Sequence, residues 1–275
     1  MTRVLVDTGW FLNSTYFMLR GPSSNTKVVN REDYIDVLKN SIQSNVELFT
    51  CHEVILCLDD EEGYWREEIF PEYKHTRKAT KKKQSKEGSL NLDEMYECFN
   101  AGIERLKQHP EYMYIKVPKA EADDIMAALV MNRDAVVGEE AEDVIISSDH
   151  DLITLSRYGA KIYNPANHKG FVECANPGKY LLKQIIQGCG GDDIPSIQPG
   201  YLGPTRTERL VEKGGAKLRE AIKNHAEAYA RNRRLIHPEE IPDEIIRATI
   251  DEYSKQLKTK TSKRSNLNSY VEELY

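Results

Sequence analysis

Apolar positions fall into two periods that alternate along the first two-thirds of the chain. Arg3–Asp7 (RVLVD), Glu53–Asp60 (EVILCLDD), Tyr112–Val117, Asp143–Ser147 and Ala160–Tyr163 are short runs rich in β-branched residues. They predict strands. Between them, apolar residues recur three and four apart, and this spacing predicts helices. The helical stretches are GWFLNSTYFML after Asp7, Arg31–Phe49 with Tyr34, Val37, Leu38, Ile42, Val46 and Phe49, then Leu92–His109 and Glu121–Arg133. The βαβα order predicts an α/β fold with a largely parallel central sheet flanked by helices. After about Asn176 the strand pattern stops. Lys179–Gln187, Thr205–Lys213, Ala216–Arg231 and Pro242–Leu257 are helix candidates, with the Gly/Pro-rich turn region GCGGDDIPSIQPGYLGPT between the first two. There is no internal repeat, and TSKRSNLNSYVEELY reads as a loosely held tail.

Acids recur where these strands end. Asp7, Asp59 and Asp149 each fall at the carboxyl end of a strand, where parallel sheets build their sites. KAEADDIMAALV opens a helix with Glu121, Asp123 and Asp124. Glu121 and Asp124 share a face, and Asp123 is offset from Asp124 by about 100°. Asp149 and Asp151 point the same way in an extended chain. Each cluster has a plainer reading. Asp7 is a helix cap, the acids of EADD complement a helix dipole, and Asp149 and Asp151 form an Asx-turn. Capping explains each singly but not their recurrence at successive strand ends. Carboxylates gathered this way repel one another unless cations neutralise them. The set suits magnesium, which takes carboxylates and retained waters. Two such ions roughly 3.5–4 Å apart can hydrolyse a phosphodiester.

Charge first argues against a nucleic-acid partner, since the net value is −6. The charges are segregated, however. KHTRKATKKKQSK, from Lys74 to Lys86, has no acid, and KQLKTKTSKR is basic again. The lysine run directly follows YWREEIFPEYKHTR. Arg66, Tyr73, Lys74, Arg77, Lys78, Lys81, Lys82 and Lys83 therefore place aromatic faces beside cations, as base stacking and phosphate contact require. The competing reading is a solvated surface loop. The 275 residues are 40% hydrophobic, enough for one large domain or one domain with a helical extension. No apolar run is long enough for a membrane span. MTRVLVDTGW enters a strand directly, so a signal peptide is not expected. Cys51, Cys57, Cys98, Cys174 and Cys189 form no CxxC pair. This implies a reduced cytosolic setting with neither a disulfide frame nor a zinc site.

Taken together, LVDTGW, LCLDDEEGYWREEIFPEYKHTRK, EADD, SSDHDL and GGDDIPSI…GPTRTERL resemble the structure-specific 5′ nucleases, the flap endonucleases and 5′–3′ exonucleases. Within them the chain most resembles the T-even phage ribonuclease H type. The motifs occur in family order over roughly residues 3–250. The resemblance implies a PIN-like catalytic α/β domain over 1–176, with a helical arch at about 74–92. It implies a helical duplex-binding region over 177–260, with a helix–three-turn–helix at about 179–213, and a tail over 261–275. Asp7, Asp59, Glu121, Asp123, Asp124, Asp149, Asp151 and Asp192 would hold two Mg2+ ions, with Mn2+ as substitute. Asp59 and Asp123 look like first-site ligands, and Asp149 and Asp151 lean toward the second. Lys74 and Arg77 would steady the scissile phosphate, and Tyr73 would stack on a base. Gly203, Thr205 and Arg206 would grip duplex backbone, and the family also allows K+ on the turn carbonyls.

The implied function is 5′–3′ exonuclease or flap endonuclease activity, with RNase H action on RNA primers. The implied substrates are DNA and RNA:DNA duplexes with 5′ flaps or ends, cut in replication or repair. A monomer is implied, in host or bacterial cytoplasm, meeting a replication clamp or single-strand binding protein but no membrane. Two departures stand out. Cys189 and Asp193 occupy positions where the family turn carries Asp and Asn, and Thr205 stands where it carries Lys. Three other readings compete: a plain PIN-type ribonuclease, a junction-binding protein with a weakened site, and a phosphatase with an aspartyl nucleophile. The basic segments and the helical region argue against the first and third. Cys189 supports the second.

Overall fold

The computed structural model describes residues 1–22, 27–138, 140–166, 170–200 and 202–272, with side chains described as far as residue 260. Six strands form one sheet in the order β3-β2-β1-β4-β5-β6. They are β1 (Thr2–Asp7), β2 (Glu53–Leu58), β3 (Tyr112–Lys116), β4 (Glu142–Ile146), β5 (Lys161–Tyr163) and β6 (Phe171–Val172). The first five run parallel, and β6 is antiparallel to β5. β6 has no counterpart in the sequence pattern, because two residues cannot show a period.

Alternation along the strands decides which helices lie where. Val4, Val6, Val54, Leu56, Val144 and Ile146 face α1 (Thr8–Arg20), α2 (Arg31–Val46) and α5 (Leu92–Lys107). Leu5, Ile55, Cys57 and Ile145 face the opposite side, against α6 (Ala122–Met131), the short α7 (Arg133–Val137) that follows it, and α12 (Asp243–Glu272). A parallel sheet with both faces covered reads as continuous apolar runs, which is how these strands read. Gly102 of α5 lets α2 approach closely: a Cβ there would lie 2.6 Å from Leu38 Cδ2. At the lower end of the sheet, fully buried Arg3 forms a two-point ion pair with Asp143 at 2.8 and 3.0 Å and donates to the Leu129 carbonyl. On the free edge of β3, Gln256 of α12 accepts from the Tyr114 N–H and donates to the Tyr114 carbonyl. This closes an edge that would otherwise invite strand addition.

Strand order reverses between β1 and β4, so the crevice above their carboxyl ends is the natural site of this sheet. A second helical layer borders it: α8 (Pro177–Gln187), α9 (Pro204–Lys213), α10 (Gly215–Asn224) and α11 (Ala226–Ile236). Ile186, Ile197, Leu202 and Val211 form its own small core. The single helix expected over Ala216–Arg231 is two helices. His225 leaves helical backbone angles at φ −126°, ψ 37°, and the break lets Ala228 and Tyr229 reach that core.

Two further elements go beyond what the apolar pattern alone shows, for physical reasons. The lysine run is a regular helix, α4 (His75–Lys86), with no buried residue. It has no apolar stripe for periodicity to detect, yet no Gly or Pro to break it. The expected loose tail begins as a continuation of α12, whose backbone stays helical to Glu272. No Gly or Pro interrupts it after Pro242. Residues 273–275, the end of that tail, lie outside the described residues.

Candidate active site

Each strand that ends at the crevice delivers an acid, and the local structure fixes it. Asp7 ends β1 and caps α1: its Oδ1 accepts the Trp10 N–H at 3.0 Å, and its Oδ2 accepts Ser147 Oγ at 2.7 Å. The capping and site readings of Asp7 are therefore compatible. Asp59 follows β2 and accepts the Ala122 N–H at 2.8 Å, which holds the start of α6 against it. Ser147 follows β4, and its Oγ also accepts the Asp149 N–H at 3.0 Å. Asp149 Oδ1 accepts the Asp151 N–H at 2.8 Å, the Asx-turn anticipated as its plainer reading. Ser147 thus joins two strand ends through Asp7 and Asp149. In the sequence it was only a neighbour of SDHD.

These carboxyls crowd one another. Burial pushes Asp7 up to about 6, against the bonds from Ser147 and Trp10, and Asp59 and Asp149 add to the rise. Asp123 is raised well above the usual range by burial, then by Asp149, Asp7 and Glu121. Burial likewise raises Asp59. A carboxyl that resists ionisation among like charges is the state a cation relieves. The donors are all hard oxygens, so they fit magnesium or manganese.

The other two acids of EADD have a different environment. Glu121 and Asp124 form a reciprocal capping box on α6. Buried Arg66, on the short helix α3 (Trp65–Ile69), donates to Glu121 at 2.7 Å, to Asp124 at 2.8 and 2.9 Å, and to the Leu235 carbonyl at 2.8 Å. Trp65 Nε1 donates to Asp124 at 3.0 Å. Tyr73, 4% exposed, donates its hydroxyl to Glu121 at 2.8 Å. Burial alone would raise Glu121, but Arg66 and Lys74 overcome it and hold the carboxyl low. Arg66 and Tyr73, read from sequence as nucleic-acid contacts, thus have their polar atoms committed inside the protein. Asp124 is likewise turned to Trp65 and Arg66. Nothing in the residue order distinguishes these internal partners from surface ones.

The basic side begins at Lys74, a non-glycine residue at φ +54°. Its Nζ meets Glu121 Oε1 and lies 3.7 Å from Asp192 Oδ1. Arg77 reaches Asp192 at 3.3 Å. Lys78 pairs with Glu67. Lys81 turns partly inward, where burial and Arg77 lower its pKa, while Lys82 and Lys83 are exposed. The Gly/Pro-rich turn after α8 closes over the same place. Gly188 has φ +73°, and a Cβ there would sit 2.3 Å from the Ile194 carbonyl oxygen. Cys189 and Ile194 exchange backbone bonds at 2.9 and 3.0 Å. This loop brings Asp192 beside Lys74 and Arg77, and Asp193 accepts the Thr76 N–H of α4 at 2.7 Å. Asp151 is pushed up to about 6 by burial, then by Asp149 and Asp192. Cys189 is pushed up to about 12 by burial, then by Asp192 and Asp151. Gln184, which carried no sequence signal, donates to Asp151. Gly203 precedes α9, and Thr205 and Arg206 lie exposed in its first turn.

An α/β sheet with strand-end acids, a basic helix above them and a helical layer beside them defines a 5′ nuclease. A family model for the 5′-3′ exonuclease N-terminal resolvase-like domain matches residues 2–180, and the chain belongs to this family. Its members are metal-dependent phosphodiesterases. The chain is 27% identical over 256 residues to ribonuclease H of Enterobacteria phage T4, covering 85% of this chain and 80% of that protein. It is 26% identical over 168 residues to flap endonuclease Xni of Shewanella sp. strain MR-4, covering 58% of this chain and 56% of that one. The fold matches the T5 D15 protein co-crystallised with metal ions at TM-score 0.70 and 17% identity, covering 94% of this chain and 99% of that one. It also matches a T5 5′-exonuclease with divalent zinc bound, at TM-score 0.71 and 16% identity, over 92% and 98%. Among the described residues, no helix is long and apolar enough to cross a membrane.

Proposed function

We propose that this chain is a magnesium-dependent nuclease that removes 5′ flaps, 5′ ends and RNA primers from DNA and RNA:DNA duplexes in replication or repair. The observation that carries the reading is the meeting of strand-end acids Asp7, Asp59 and Asp149 and the α6 acid Asp123 with Lys74 and Arg77 across one crevice. A basic helix above an acidic pocket suits a phosphodiester whose reacting atoms need cations. Bound there, two divalent ions supply charge neutralisation and an activated water.

In this reading Asp7, Asp59 and Asp123 hold the inner ion, and Asp149, Asp151 and Asp192 lie toward the outer one. Glu121 and Asp124 act through Arg66, Tyr73 and Lys74, by orienting the base of the arch. Lys74 and Arg77 exchange their carboxylate partners for the scissile phosphate and stabilise its developing charge. Lys78, Lys81, Lys82 and Lys83 line the path of a single-stranded 5′ end. The first turn of α9, with Gly203, Thr205 and Arg206, holds duplex phosphates by backbone amides and charge, without reading sequence. A flap endonuclease of this fold has been solved with DNA and metal ions, which supports the substrate class. Manganese substitutes at the carboxylates, potassium sits on the turn carbonyls, and a clamp or single-strand binding protein is the expected partner of a monomer.

The test is a 5′-labelled flap duplex incubated with magnesium and then with chelator. Cleavage near the flap junction that stops on chelation is expected. Binding without cleavage in either state would instead support a junction-binding protein, the reading that a neutral Cys189 thiol in the outer position favours.

A further inference from the structure

Two acids follow β2, and their partners separate their tasks. Asp59 Oδ1 accepts the Ala122 N–H at the start of α6. Asp60, 8% exposed, has both oxygens committed within the protein: Oδ2 accepts the Lys119 N–H at 2.8 Å, and Oδ1 lies 3.6 Å from Lys116 Nζ. The bond to Lys119 matters because of the backbone there. Val117, Pro118, Lys119 and Ala120 make a tight turn, closed by the Ala120 N–H on the Val117 carbonyl at 3.1 Å. Pro118 fixes a negative φ at the second position, and Lys119 has φ +61° at the third. That combination is a type II turn, whose third position favours glycine. A residue with a Cβ stays there only where its surroundings over-determine it.

The segment from Asp60 to Trp65 supplies those surroundings. The Asp60 N–H donates to the Ala120 carbonyl at 2.8 Å, and the Trp65 N–H donates to the Lys119 carbonyl at 3.0 Å. With the Asp60 carboxylate on the Lys119 N–H, both backbone polar groups of Lys119 are fixed by one short loop. The Lys119 ammonium adds little, because its pair with Glu68 is exposed. α6 begins two residues beyond the turn, at Ala122. The turn therefore sets the direction in which α6 leaves the sheet. A Lys119 relaxed to negative φ would redirect the chain entering α6 and carry Asp123 away from Asp7 and Asp149, whose charges it now feels.

We propose that Asp60 is a positioning residue of the inner metal site: its carboxylate holds Lys119 in the left-handed turn, and the turn aims Asp123 at the ion shared with Asp59. The inference rests on the reading of Asp7, Asp59 and Asp123 as the inner ligands. Asp60 itself does not touch the ion, and its charge is not what the turn needs. The turn needs one oxygen acceptor for one N–H. Glycine at position 119 takes the same φ at no steric cost, so with glycine there the acceptor becomes dispensable.

Manganese binding reads the site without substrate. Full-length protein, stripped by chelator and then desalted, is titrated with manganese(II), and the free ion is followed by electron paramagnetic resonance. The temperature is one at which circular dichroism shows every variant folded. The component of binding that Asp59→Asn removes marks the inner ion. Asp60→Ala should weaken that component by about 10–100-fold, the usual loss for a residue that orients a ligand. Asp60→Asn keeps the acceptor oxygen and should bind close to wild type. Lys119→Gly should also bind like wild type, and added to Asp60→Ala it should restore most of the lost affinity. Unchanged binding in Asp60→Ala would overturn the inference. Equal losses in Asp60→Asn and Asp60→Ala, or no recovery on adding Lys119→Gly, would make Asp60 a ligand and overturn it too. A protein that binds manganese and responds in the expected way but never cleaves a flap loses the proposed function alone. One that cleaves flaps while Asp60→Ala binds manganese like wild type loses this inference alone, and a wild type that binds no manganese loses both.

Discussion

Replacing Arg66 by alanine is the sharpest test of how the crevice is held. The guanidinium makes four hydrogen bonds, three of them to the buried carboxylates of Glu121 and Asp124 and one to the Leu235 carbonyl. It also lies over the Trp65 ring at 4.5 Å. Removing one partner of a buried ion pair leaves charge uncompensated and costs about 3–5 kcal/mol. With a urea slope of about 3 kcal/mol/M, the unfolding midpoint should fall by 1 M or more. The loss should depend on pH in a definite sense. Glu121 is held low in the folded protein, against burial, by Arg66 and Lys74. Its contribution is therefore complete above the unfolded carboxylate value of about 4.3 and is lost as pH falls through the lower folded value. The gap between wild type and Arg66→Ala should be widest near neutrality and shrink below about pH 4. Urea unfolding followed by tryptophan fluorescence at both pH values measures it, since Trp65 is buried beside the substituted residue. A loss under about 1 kcal/mol at neutral pH, or one equally large in acid, would refute the ion-pair account.

Three further outcomes follow from the same geometry. Asp149→Asn should abolish magnesium-supported cleavage while flap-duplex binding, read by anisotropy, persists; normal cleavage would remove Asp149 from the site. Lys74→Ala should lower single-turnover cleavage by about 10²–10³-fold with a smaller change in affinity. An effect on affinity alone would make Lys74 a general phosphate contact. Gly102→Ala should destabilise the protein by about 1–3 kcal/mol in thermal unfolding without altering metal binding, because its Cβ would meet Leu38 and Tyr34 between α2 and α5.

The sheet was legible in the sequence because burial on both faces makes a strand continuous in composition, as in VLV, VILCL and DVII. The strand-end acids were legible for a related reason: a carboxylate directly after such a run cannot belong to the core. Other features leave no local mark. α4 has no apolar face, so its composition could not tell a helix from a loop. Arg66 and Tyr73 sit in a segment whose composition suggests surface, and only the arrival of α6 and α11 turns them inward. Gln184 and Ser147 matter through partners 33 and 140 residues away. Such separations are set by topology and lie beyond any window of local pattern.

The turn that carries Cys189 and Asp192 is also the seat of α4. Asp193 accepts the Thr76 N–H, and the Asp192 carbonyl accepts the Lys74 N–H at 3.1 Å. An insertion of one residue in this loop would displace Asp192 from Lys74 and Arg77 and unseat the first turn of the basic helix at once. The chain halves that meet there are about 115 residues apart in sequence, yet they behave as one joint with no slack. Length variation is therefore expected to be tolerated beyond Lys86 or after Lys213 and to cost the fold between Gly188 and Ile194, as thermal unfolding of insertion variants would read. The spacing of those few residues sets how the end of α8 stands against the base of α4.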